Sequence, residues 1–88
     1  MAKVNDSYTK QRKQNVYVKG GERLDGEKIG KRLVELRGGR TQKEVGDAVG
    51  VEAMAISYYE RGIRIPRDEV KIKLAKYYGV TVESLFYT

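Results

Sequence analysis

The stretch from Gln42 to Arg61, QKEVGDAVGVEAMAISYYER, leaves a folding chain few choices. Thr41 sits three residues before Glu44, the spacing at which each side chain satisfies the other's exposed backbone N–H and opens a helix. Val45, Ala48 and Val49 then recur at helical spacing and face inward. Gly50 stops this helix, because glycine accepts the left-handed geometry needed just past a helix end. A second apolar set, Ile56 and Tyr59, follows at once. Gly46 is small where two such helices would cross, and Val51 is an apolar residue to tuck beneath the turn. Val45, Val49, Ile56 and Tyr59 fill the angle between them. The pattern demands two short helices packed across a tight turn.

The rest of the chain supports that unit with more helices. Ile29, Leu33 and Leu36 mark one apolar face of a helix ending at Gly38-Gly39. The helix holding Tyr59 stops at Gly62, and the loop Ile63-Arg64-Ile65-Pro66 leads to another from about Arg67 to Tyr78, with Val70, Leu74 and Tyr78 inward. Gly79 ends it, Val80 re-enters the core, and Thr81 caps a short last helix carrying Leu85. The expectation is a compact all-α domain of five helices over residues 26–88. Residues 1–25 read differently. Lys3, Lys10, Arg12, Lys13, Lys19 and Arg23 outnumber Asp6, Glu22 and Asp25, aliphatics are few, and only Val16-Tyr17-Val18 suggests a weak strand. This segment is expected to be a flexible basic arm with a net charge of +3.

Composition narrows the function. Eighteen Lys and Arg against twelve Asp and Glu give +6 at pH 7, which favours a polyanionic partner. There is no Cys and no His, so disulfides, thiolate metal sites and the commonest general base are missing. Seven tyrosines among many arginines raise the idea of tyrosine-based strand transfer, but those chemistries lean on histidine or a metal. No enzyme, cofactor or metal is expected. No apolar run approaches the ~20 residues of a membrane span, and the N-terminus lacks the apolar middle of a signal peptide. A cytoplasmic, nucleoid-associated protein is the expectation.

At Gly46, Gly50, Val51 and the inward set around them, the chain resembles the Cro/C1-type helix-turn-helix regulators. The resemblance runs from about Glu27 to Phe86 and includes Tyr59-Glu60-Arg61-Gly62 and Tyr78-Gly79-Val80-Thr81. It departs from the family in its short Gly38-Gly39-Arg40 connection, in Glu52 where a Ser or Thr cap is usual, and in Gly46 where alanine is commoner. The implied fold is the lambda-repressor-like domain. The implied placement puts the third helix in the major groove of double-stranded operator DNA, with Glu52, Ala53, Met54, Ser57 and Tyr58 facing bases. Thr41, Gln42 and Lys43 would approach phosphates at the start of the second helix, with Arg61, Arg64 and Arg67 on the other side. An acidic residue at position 60 would pair with Arg37.

The function expected is a sequence-specific DNA-binding regulator, a repressor acting by promoter occupancy, for which a phage or mobile element is a fitting source. One short helix reads too few base pairs, so a homodimer on a two-fold operator follows. Leu85, Phe86 and Tyr87 are the expected dimer contact, as three large apolar residues in a row. An alternative is an antitoxin whose N-terminal arm holds a toxin as protein partner and which also binds its operator. RNA binding through the arm is weaker, since no aromatic stacking platform is evident.

Overall fold

A computed structural model describes residues 16–19 and 22–88. Two strands, β1 (Val16–Lys19) and β2 (Glu22–Asp25), pair antiparallel, with Val16 opposite Asp25 and Lys19 opposite Glu22. β2 runs directly into α1 (Gly26–Arg37), and Asp25 serves both elements. It ends the strand and N-caps the helix, its carboxylate accepting from the Glu27 and Lys28 amides at 3.0 and 3.3 Å. This corrects the arm expected over residues 1–25. Its last part is a hairpin, and Leu24, 2% exposed, belongs to the core. The arm over residues 1–15 lies outside the described residues.

Four further helices follow: α2 (Gln42–Val49), α3 (Ala53–Glu60), α4 (Asp68–Tyr78) and α5 (Val82–Phe86). Their ends are set by the residues that the sequence marks. Thr41 and Glu44 form the reciprocal capping box of α2, with the Thr41 hydroxyl accepting from the Glu44 amide at 3.0 Å. Gly50 and Gly79 end α2 and α4 at φ 81° and 71°, where a side chain would be strained. Thr81 caps α5 by accepting from the Ser84 amide.

One core joins these elements. Leu24, Ile29, Leu33, Val45, Val49, Ile56, Tyr59, Leu74, Leu85 and Phe86 are all buried in it. Ala48, expected inward, is exposed instead. The buried arc of α2 holds Val45, Gly46 and Val49, because α3 crosses over Gly46 and turns Ala48 away.

The last helix is held from both sides. Arg32 of α1 donates to the carbonyls of Leu85 and Thr88 at 3.0 and 2.6 Å. Lys71 of α4, only 3% exposed, donates to the Tyr87 hydroxyl at 3.0 Å and to Asp68 Oδ1 at 3.4 Å. Its ammonium also lies 5.8 and 5.1 Å from the ring centres of Phe86 and Tyr87. The expected apolar dimer patch is therefore not there. Leu85 and Phe86 are 2% and 1% exposed, and Tyr87 is half-buried. A chain this small is short of bulky core residues, and its single Phe is used internally.

Candidate nucleic-acid interface

Two close backbone approaches fix where α3 stands. A Cβ added to Gly46 would lie 2.6 Å from the Val51 carbonyl oxygen, so the absent side chain lets the turn fold onto α2. The Gly46 carbonyl accepts from both the Gly50 and Val51 amides, at 2.8 and 2.9 Å. The helix-propensity cost of glycine here, ~1 kcal/mol, is offset by this fit. On the opposite side, a Cβ at Gly30 would meet the Glu60 carbonyl oxygen at 2.3 Å. α3 is thus pressed between α1 and α2.

Ile56 and Tyr59 face the core. The other face carries Met54, 58% exposed, with Ala53, Ser57 and Tyr58 half-buried beside it. Tyr58 is the centre of this face. The Arg61 and Arg64 guanidinium carbons lie 5.4 and 5.3 Å from its ring centre, close enough for cation–π attraction. Arg61 Nε also donates to Ser57 Oγ at 3.1 Å. Arg64 is brought there by the chain after α3, where the Ile63 amide donates to the Tyr58 carbonyl at 2.9 Å. Glu52, Met54, Ala55, Tyr58 and Arg64 line one shallow groove. Arg67 is exposed at the N-cap of α4, outside the Tyr58 cluster.

The start of α2 is tied to the end of α3. Arg37 Nε and Nη2 donate to the two Glu60 carboxylate oxygens at 2.6 and 3.1 Å, a two-point pair with the Glu60 side chain 4% exposed. The hydrogen bonds it donates to Glu60 raise the Arg37 pKa beyond its ordinary value. Gln42 Nε2 donates to Glu60 Oε1 at 2.9 Å. Gln42 therefore spends an amide hydrogen inside the protein, where a side chain committed to phosphate was expected. The expectation for Lys43 also needs qualifying, because its ammonium is 2.9 Å from Asp47 Oδ2. Both groups are exposed, so the pair is weak and opens readily to a competing anion. Thr41 contributes its hydroxyl and its amide to the capping box, which leaves the amides of Gln42 and Lys43 at the open end of the helix.

Arg40 is a cation that the sequence pattern does not single out. It immediately precedes the Thr41 cap, with its guanidinium carbon 5.2 and 5.7 Å from the ring centres of Tyr77 and Tyr78. Arg37 Nη1 donates to its carbonyl at 2.8 Å, closing the short Gly38-Gly39-Arg40 connection. Burial, with Glu60 adding to it, pushes the Tyr78 hydroxyl up to about 12. Nothing in the residue periodicity marks a stack between a loop and the end of α4.

Arg61 and Arg64 thus set positive charge against α3, and Arg40 and Lys43 set it at the start of α2. A helix carrying outward, partly apolar side chains beside such charge suits a polyanion with readable edges.

Comparison with known proteins agrees with this geometry. A family model described as helix-turn-helix matches residues 31–85. A search of curated proteins returned no match. Among solved structures, the chain is similar to the P22 c2 repressor protein, crystallised in complex with synthetic operator 9T in the presence of Tl+. The two share 30% sequence identity with a TM-score of 0.64, over 65% of this chain and 89% of that one. Among the described residues, no helix is long and apolar enough to cross a membrane.

Proposed function

Because the chain belongs to the Cro/C1-type helix-turn-helix family of sequence-specific DNA-binding transcriptional regulators, we propose that it represses by occupying a promoter, as a homodimer on a two-fold operator. α3 enters the major groove and presents Glu52, Ala53, Met54, Ser57 and Tyr58 to base edges. Arg61, Arg64, Lys43 and the open amides of α2 meet phosphates on either side, and Arg67 extends that contact along α4. The observation that carries this reading is Tyr58, set outward on α3 with two guanidinium groups against its ring. The likeness to a repressor crystallised on operator DNA supports double-stranded DNA as the partner. Leu85 and Phe86 are buried in the core, so the homodimer of this proposal does not use them.

Two side chains separate reading from holding. Tyr58→Ala should lower operator affinity by ~1–3 kcal/mol and relax the preference at one or two positions, as removal of a base-reading group does. Lys43→Ala should weaken all duplexes about equally, by less, since part of its charge is already spent on Asp47. Titration of both variants against operator and random duplex checks this. An unchanged ratio of the two affinities in Tyr58→Ala would remove Tyr58 from the reading surface.

The basic N-terminal segment neutralises phosphates in this proposal. It holds Lys3, Lys10, Arg12 and Lys13 ahead of the hairpin. Removing residues 1–15 should make the dependence of log affinity on log salt shallower, by ~0.9 for each phosphate that the segment neutralises. Sequence preference should be retained. An identical slope in the shortened chain means that the segment does not touch phosphate.

A further inference from the structure

We propose that Glu52 reads a cytosine, accepting a hydrogen bond from its exocyclic amino group in the major groove at one position of each operator half-site. This inference rests on α3 being the reading helix. Glu52 stands at the N-cap of α3, yet its side chain makes no capping hydrogen bond. The backbone alone closes the first turn, the Glu52 carbonyl accepting from the Ala55 and Ile56 amides at 3.0 and 3.3 Å. Ser, Thr, Asp or Asn at this place would turn its side chain back onto the helix. Glu52 is instead exposed, and it lines the groove shared with Met54, Ala55, Tyr58 and Arg64.

The chemistry then selects the base. An ionised carboxylate only accepts hydrogen bonds. In the major groove guanine offers two acceptors and thymine a carbonyl and a methyl, all of which repel or ignore it. Adenine pairs its amino group with an adjacent acceptor, N7. Cytosine presents an amino donor without a ring acceptor beside it, and is the best match. A carboxylate near phosphates costs affinity for every duplex, and Arg64 in the same groove, with Arg61 across the Tyr58 ring, offsets that repulsion. Glu52 thus lowers binding to wrong sequences more than to the right one, which is how repulsion produces specificity.

Selection of bound duplexes from a random pool, run in parallel with the wild-type chain, Glu52→Gln and Glu52→Ala, tests this. Glutamine keeps the shape and adds a donor, so it suits the paired donor and acceptor of adenine. The expected result is a single position per half-site that changes from cytosine to adenine in Glu52→Gln, with the other positions unchanged. Glu52→Ala should lose its preference at that position, worth roughly tenfold in affinity, and keep the rest. A consensus identical in all three proteins overturns the assignment of Glu52 and leaves α3 as the reader. Failure of the wild-type chain to enrich any sequence overturns both, and the two failures are distinct.

Discussion

Phe86→Asp should give a chain that is unfolded in buffer, with no folded monomer to recover. Phe86 is 1% exposed and fills the core where α5 meets α1 and α4. Truncating a buried Phe alone costs ~3–5 kcal/mol. An aspartate also places a carboxylate where water is excluded, adding several kcal/mol unless it finds a partner. Lys71 is near, but its ammonium already donates to the Tyr87 hydroxyl and Asp68. A small domain has only ~5–15 kcal/mol to lose. Far-UV circular dichroism and a thermal melt check the outcome, with Phe86→Leu as the milder companion that stays folded. A folded Phe86→Asp whose self-association is weakened would instead put Phe86 on an interface.

Gly30→Ala should destabilise the fold although alanine is the better helix former. Propensity favours the change by ~1 kcal/mol. The added Cβ, however, would sit 2.3 Å from the Glu60 carbonyl oxygen, 2.9 Å from its carbon and 3.1 Å from the Tyr59 oxygen. All three are backbone atoms, so no side chain can swing aside. Relief requires α1 and α3 to separate, and overpacking of this kind costs ~1–3 kcal/mol or more. In a domain of this size the melting temperature should fall by on the order of 10 °C. DNA binding should suffer too, because the displaced segment of α3 carries Glu60 and its bonds to Arg37 and Gln42. A melting temperature that rises would show that propensity outweighs the clash.

Much of the helical frame is legible because its boundaries are chemical. Gly50, Gly79 and the Thr41–Glu44 box end or start helices by local geometry, which a sequence states directly. The turn between α2 and α3 is legible for the same reason. The hairpin is not. Glu22-Arg23-Leu24-Asp25 has no alternating apolar face, and its place depends on pairing with β1 and on the burial of one residue, Leu24. The local cues are Val16-Tyr17-Val18, a run of only three strand formers, and Gly20-Gly21, a pair that short hairpin connections favour. Ala48 and Lys71 mislead in opposite directions. The first is apolar yet exposed, because the crossing at Gly46 rotates α2, and the second is charged yet buried, because Tyr87 and Asp68 satisfy it.

On α3 itself periodicity is nearly silent. Ala53, Met54 and Tyr58 make the outward side largely apolar like the inward one, so only the prior claim of Ile56 and Tyr59 on the core identifies the surface. The Arg61–Tyr58–Arg64 cluster and the Arg40 stack depend on loops folding back, and three-dimensional packing alone reveals them.

If α3 reads duplex sequence, the protein must separate specific from non-specific DNA, and the ratio of the two affinities measures this. The duplex recovered by selection from random DNA should be titrated beside a scrambled duplex of equal length at one fixed salt concentration. A reading helix gives a two-fold symmetric consensus and a ratio of ~10³ or more in its favour. Equal affinity for both duplexes, changing only with salt, would mean that the chain holds DNA by charge alone and that α3 reads no bases.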